Sequence, residues 1–254
     1  MKLATWNVNS LKVRLPQLLT WLARERPDVV CLQETKTEDA NFPTEELREA
    51  GYDALFAGQR AYNGVAILAS VPAVGSSHAI PGFADEQKRM LAATLDGIRI
   101  VCIYVPNGES IESEKYRYKL AWLAALQAWI KQELQAYPRL ALLGDYNIAP
   151  ENRDVYDPRL WEGKVLFSEP ERAAFQGLLS LGLKDSFRLF EQPEKSFSWW
   201  DYRMNAFKRN LGLRIDHILL SAELAAHARS SRIDKSMRGL ERPSDHAPVL
   251  TELQ

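Results

Sequence analysis

Apolar residues fall along the chain in short runs bounded by Gly, Pro, Asn and Asp. Lys2 to Val8, Val29 to Leu32, Tyr52 to Ala57, Gly64 to Ala69, Met90 to Leu95, Ile98 to Val105, Leu140 to Leu143, Phe197 to Tyr202, Arg214 to Ser221 and Val249 to Leu253 are too short for buried helices and predict strands. Asp96-Gly97 between two of them is a strong hairpin signal. Helical spacing predicts four helices. Ser10 to Arg26 has Pro16 in its first turn and Leu15, Leu18, Leu19 and Leu22 on one face, and Pro43 to Ala50 is stopped by Gly51. Glu114 to Ala136 carries a stripe of Leu120, Leu123, Ile130 and Leu134, and Pro170 to Leu181 is closed by Gly182. Glu151 to Glu169 reads as a polar loop. Hairpin and crossover connections alternate, which predicts an α/β fold of packed mixed sheets flanked by helices. No linker interrupts the pattern, so residues 1–254 are expected to form one domain.

Composition narrows the class. Hydrophobic residues at 46% and charged residues at 26% are ordinary for a globular protein with a core. Lys plus Arg number 32 against 33 Asp plus Glu, so any nucleic-acid contact must come from a local basic face. No apolar stretch approaches the roughly 20 residues of a membrane helix, and Met1 runs into a strand without a signal-peptide pattern. No membrane partner is expected. Cys31 and Cys102 each lie in an apolar run and are expected to be reduced core thiols of a cytoplasmic protein.

The chemistry sits where apolar runs stop. In Leu140 to Pro150 a buried run gives way to Gly144-Asp145-Tyr146-Asn147. Alternation puts Asp145 and Asn147 on one face, and an Asx-type turn closing at Pro150 accounts for the pair equally well. The same ending recurs at Asn7, Glu34, Tyr104 with Asn107, Asp216 and Asp245-His246. A charge at the end of a buried strand is costly unless it is paired or binds a cation. Oxygen donors without a Cys or His cluster suit magnesium or manganese, and an Asp–His pair beside them suits phosphodiester hydrolysis.

Trp6-Asn7-Val8-Asn9, Leu32-Gln33-Glu34-Thr35-Lys36, Tyr104-Val105-Pro106-Asn107-Gly108, Gly144-Asp145-Tyr146-Asn147, Arg214-Ile215-Asp216 and Ser244-Asp245-His246-Ala247-Pro248 together resemble the exonuclease III family of DNA repair nucleases, within the endonuclease, exonuclease and phosphatase superfamily. The resemblance spans essentially the whole chain and implies a four-layered α/β sandwich. It implies Glu34 as principal metal ligand with Asn7 close to the metal, and His246, oriented by Asp216, on the scissile phosphate. It gives Asp145 the role of activating the water or protonating the leaving oxygen. Asn147 would orient phosphate or water, Tyr104 would hydrogen-bond the phosphate, and Asp245 would accept hydrogen bonds or lie near a second metal. Asn7, Asp145, Asn147, Asp245 and His246 are thus expected with Glu34 around Mg2+, for which Mn2+ would substitute.

Phe197 to Arg214 interleaves Arg203, Lys208, Arg209 and Arg214 with Trp199, Trp200, Tyr202 and Phe207, a composition suited to phosphates and an opened duplex. By resemblance Trp199, Leu213 and Ile215 line a pocket for a base-free sugar, and Arg203 enters the DNA. Several relatives have an aromatic residue where this chain has Leu213. Arg60, Tyr62, Asn63 and Asn107, with Lys115 and Lys119 on the long helix, are further contact candidates. The expected enzyme is a monomeric, magnesium-dependent abasic-site endonuclease with 3′-5′ exonuclease and 3′-phosphatase activity on duplex DNA. A 3′-end specialist, a non-DNA phosphoesterase of the same superfamily and a catalytically silent DNA-binding module are the alternatives. A silent module would be expected to lack one of Glu34, Asp145, Asp216 or His246, and all four are present.

Overall fold

The computed structural model describes residues Met1–Gln254. Its strands are β1 Lys2–Asn7, β2 Val29–Gln33, β3 Asp53–Ala57, β4 Val65–Ala69, β5 Ala73–Ser77, β6 Met90–Leu95, β7 Ile98–Tyr104, β8 Leu140–Asp145, β9 Lys184–Asp185, β10 Trp199–Trp200, β11 Gly212–Leu213, β12 Asp216–Leu220, β13 Ala228–Ile233 and β14 Val249–Leu253. The helices are α1 Leu11–Glu25, α2 Thr44–Glu49, α3 Glu114–Ala136, α4 Pro158–Trp161, α5 Glu169–Ser180 and α6 Ala222–Ala226. One six-stranded sheet runs β13-β14-β1-β2-β4-β3, the other β5-β6-β7-β8-β12-β9, and β10-β11 form a separate ribbon. Both large sheets are mixed, as β1 lies parallel to β2 but antiparallel to β14, and β7 parallel to β8 but antiparallel to β6.

Strand alternation builds the layers. Leu3, Val29 and Ile67 of the first sheet meet Ile100, Cys102, Leu143 and Ile218 of the second in an inter-sheet core. The opposite faces of the same strands, Ala4, Trp6, Val30 and Leu32 on one side and Val101, Ile103, Leu142 and Leu219 on the other, are covered by α1 and by α3 with α5. Helix, sheet, sheet, helix is the expected four-layered sandwich. Gly144 is required by this packing, because a Cβ there would lie 2.0 Å from the Ile103 carbonyl oxygen of the adjacent strand.

Several local expectations are corrected. Pro16 falls in the second turn of α1, and Trp21 lies on its buried face while Leu15 and Leu19 are only partly buried. The buried stripe of α3 is Tyr116, Lys119, Trp122, Leu123, Leu126, Trp129 and Ile130, with Leu120 and Leu134 at its edge. Large aromatic rings, not the leucines alone, fill the groove against β7 and β8. The loop after Pro150 contains α4, and α5 begins at Glu169 because Ser168 and Glu171 form a reciprocal capping box. The run from Phe197 to Tyr202 keeps only two paired residues, and β5, β9, β11 and β13 were unforeseen. No helix is long and apolar enough to cross a membrane.

Candidate active site

Register and alternation assemble the site at one end of the sandwich. Along β7, Ile100 and Cys102 face the inter-sheet core, so Tyr104 does too, and Ala141 and Leu143 set Asp145 on the same face of β8. In β12 the same rule turns Asp216 inward with Ile218 and Leu220, leaving His217 on the opposite face with Leu219. Tyr104 pairs with Asp145, and Asp145 with Asp216, so three polar groups stand side by side on adjacent strands. From the facing sheet comes Asn7, whose Nδ2 donates to Glu34 Oε1 at 2.8 Å and to Asp145 Oδ2 at 2.9 Å. One amide thus joins carboxylates carried by opposite sheets.

His246 arrives from the loop before β14. Its Nδ1 lies 3.1 and 2.9 Å from the two Asp216 oxygens, and its Nε2 lies 3.8 Å from Asp145 Oδ2. Ser198 fixes the dyad from behind, donating to Asp216 Oδ2 at 2.6 Å while receiving the Ile215 and Asp216 N–H groups at 3.1 Å. Burial alone would lower the His246 pKa, but Asp216 and Asp145 together push it up to about 10. Burial raises the Asp145 carboxyl, with Asp216 adding to the rise and His246 and the Asn7 amide opposing it. Burial likewise holds the Tyr104 phenol protonated, reinforced by Glu34 and Asp145 and opposed by Arg89, whose guanidinium lies 4.7 Å from the ring centroid.

The two explanations for Asp145 and Asn147 both hold. Asp145 ends a strand, and its Oδ1 accepts the Asn147 N–H at 2.9 Å in an Asx turn. Asn147 lies at φ 49°, and its Nδ2 still reaches back toward Asp145 Oδ2 at 3.4 Å. Its Oδ1 accepts from Asn107 Nδ2 at 3.1 Å. Glu34 also stands in the left-handed region, at φ 50°. Non-glycine residues held there at a rim of converging polar groups are a mark of functional sites.

Glu34, Asp145 and His246 offer ligand atoms that all lie within 4.8 Å of one another. The two carboxylates fit a hard divalent cation. An imidazolium whose Nδ1 is held by Asp216 suits an anionic oxygen better than a cation. Asn7 presents its NH2 to the carboxylates, and Asp245 accepts from Asn9 Nδ2 and Trp199 Nε1, both at 2.9 Å.

Comparison with known proteins bears on this geometry. The family model described as "Endonuclease/Exonuclease/phosphatase family" matches residues 4–246. The exodeoxyribonuclease III of Haemophilus influenzae is 36% identical, with 100% of each chain covered. The chain belongs to this exonuclease III family. Among solved structures, a Neisseria 3′ phosphatase bound to a product DNA hairpin superposes with a TM-score of 0.98 at 45% identity, covering 100% of this chain and 99% of that one. An AP endonuclease from Archaeoglobus fulgidus superposes at 0.96 with 35% identity, covering 100% and 99%.

The family's expected DNA face divides when its residues are located. Arg60, Asn107, Arg203, Lys208 and Arg209 are exposed, and Tyr62 is 71% exposed. Tyr62 and Asn107 line an open groove of about 820 Å³ that runs past Tyr104 and also takes in Arg89 and Lys115. Asn63 lines the same groove at 8% exposure, its amide bonded to Gln59 and Gln87. Trp200 is corrected to core, buried among Phe197, Ala206 and Ala247 with its indole N–H on Asn210. Lys119 is fully buried. Leu213 and Ile215, at 0% and 1% exposure, pack with Leu166, Phe167 and partly buried Trp199, so these side chains fill their own cluster. Sequence reasoning missed Ser198 and Arg89 as supports. It also missed Lys36, whose Nζ lies 2.9 Å from Glu34 Oε2 and 2.6 Å from Asn9 Oδ1. Lys36 and Asn9 did lie inside quoted motifs, the only signal available for them.

Proposed function

We propose that residues 1–254 form one catalytic domain, a magnesium-dependent DNA repair phosphodiesterase that incises 5′ to abasic sites and trims 3′ ends, including 3′-phosphates. The observation that carries this reading is the convergence of Glu34, Asp145 and the Asp216–His246 dyad at one end of the two sheets. Glu34 and Asp145 would hold the cation, for which manganese is expected to substitute and which when bound supplies charge neutralisation at the phosphoryl oxygens. His246 donates its Nε2 proton to a non-bridging phosphate oxygen, and Asp216 keeps it charged. Tyr104, a protonated phenol at the mouth of the exposed groove, donates a second hydrogen bond where charge builds in the transition state. Asp145 exchanges a proton with the attacking water or the leaving 3′ oxygen, and Asn147 orients the phosphate.

A second reading, a specialist in 3′ ends with little abasic incision, is favoured by the filled cluster of Leu166, Leu213 and Ile215, which leaves those side chains almost no surface for a flipped sugar. Two labelled duplexes, one with an abasic-site analogue and one with a recessed 3′-phosphate, separate the readings in magnesium and in EDTA. Magnesium-dependent incision at the analogue supports the first, and phosphate release without incision supports the second. Cleavage of neither overturns both.

A further inference from the structure

Directly behind the proposed reaction centre lies an ion pair that the chemistry above does not use. Lys119 of α3 and Glu171 of α5 are both fully buried and bridge to one another. A buried pair is retained at the expense of desolvating both charges, so its remaining donors and acceptors must all be met. Lys119 Nζ has three N–H groups. One goes to Glu171, one to the Asn147 carbonyl at 2.7 Å and one to the Asn107 carbonyl at 3.1 Å. Glu171 in turn accepts the Leu166 and Ser168 N–H groups, each at 3.0 Å, and the Ser168 hydroxyl. Every group is used.

What the pair holds is more informative than the pair itself. No main-chain N–H reaches the Asn107 or Asn147 carbonyl, so the ammonium is the donor that both receive. The same two residues are joined through their side chains, and Asn147, at φ 49°, caps Asp145 with its N–H. Asparagine tolerates the left-handed region, and here the Asp145 carboxylate on its N–H and the Lys119 ammonium on its carbonyl hold Asn147 from both sides. The stem of Lys119 supports the loop sterically as well: a Cβ on Gly108 would sit 3.3 Å from Lys119 Cδ. Through Glu171 the same pair fixes Leu166, which packs against Leu213 and Ile215.

We infer that Lys119–Glu171 is a positioning pair for phosphodiester hydrolysis, locking the Asn107 and Asn147 loops so that Asp145 and the Asn147 amide keep their alignment to the phosphate. The inference rests on the proposed roles of Asp145 and Asn147. It differs from structural cement in predicting a loss of kcat that survives restored stability and acts through Asn147.

The double variant Lys119→Met with Glu171→Gln removes the donors to both loops without stranding a buried charge. With fold checked by circular dichroism and thermal unfolding, the expected result on a 3′-phosphate duplex is a kcat lower by roughly 10- to 100-fold, with KM and half-saturating magnesium within about threefold of wild type. In an Asn147→Ala background the same double change should lower kcat little further, because both alterations act on one group. A folded double variant with wild-type kcat, or losses that simply multiply in the Asn147→Ala background, overturns the positioning role. Should Asn147→Ala itself turn over normally, the reading of the site fails instead. If the double variant does not fold, Lys119→Gln with Glu171→Gln, which keeps two amide donors toward the carbonyls and strands no buried charge, is held to the same tests, with a kcat loss of roughly threefold to tenfold expected.

Discussion

Two histidines in this protein are equally hidden from water and electrically opposite. His246 meets Asp216 through Nδ1 and has Asp145 near Nε2, so its pKa rises to about 10 despite burial. His217 is held by Arg214 Nη1 at 3.0 Å and the Ile148 carbonyl at 2.9 Å, with Tyr146 and Phe175 against its ring. Burial, then the Arg214 charge, lowers its pKa to about 4. Arg214 in turn is held by Asp154 and Asp185. Burial disfavours the charged form of both imidazoles; at His246 the two carboxylates outweigh it, whereas at His217 the Arg214 charge adds to it. The two also act oppositely on stability. His246 binds its proton more tightly when folded, and so contributes fully below about pH 6.5 and less as pH rises through 10. His217 refuses its proton when folded, so its contribution is full above pH 6.5 and is lost as pH falls toward 4.

The contrast can be broken at either end. The largest effect is expected from His246→Gln, which should reduce single-turnover cleavage roughly a thousandfold with little change in DNA affinity, whereas His217→Gln should stay within a few-fold of wild type. Equal rates for the two variants would end the distinction. Asp216→Asn removes the carboxylate that keeps His246 charged, and should cost about a hundredfold in kcat and move the loss of activity with rising pH to lower pH. An unmoved pH profile would detach the dyad from the chemistry. Urea unfolding at pH 7 and pH 5 should show wild type losing about 2 kcal/mol more than His217→Gln over that interval, the protonation that only the unfolded chain accepts. Equal losses would mean that His217 is not held neutral. Smallest is Glu34→Gln, expected to raise half-saturating magnesium about tenfold with partial recovery at high magnesium or manganese. No change in metal requirement would remove Glu34 from the cation.

Much of this arrangement was legible in the chain. Both Asp96 and Gly97 adopt positive φ, as a two-residue hairpin turn needs, and β6 and β7 pair across them. Helix α3 runs from Glu114 to Ala136 as its periodicity indicated. Strand ends carrying Asn7, Tyr104 and Asp145 were visible as apolar runs stopping at a polar residue, Asp216 as a polar residue interrupting one, and alternation gives each its face. Other parts were silent. Strands β5 and β13, Ala-Val-Gly-Ser-Ser and Ala-Arg-Ser-Ser-Arg-Ile, have little apolar alternation and are strands because β6 and β14 offer ladders to join. A lysine at a helix position reads as solvated, yet Lys119 is buried because Glu171, fifty-two positions later, lies opposite it.

The sequence by itself determined which residues are polar at the ends of buried strands and which face each one takes, because both follow from local composition and the two-residue repeat of a strand. Only the tertiary structure decided how these ends meet, with the Asn7 amide bridging Glu34 and Asp145 from opposite sheets, and that Trp199 borders the rim while Trp200 is core. Those outcomes depend on strand register and on contacts between segments far apart in the chain, and no local pattern encodes the partner that closes them.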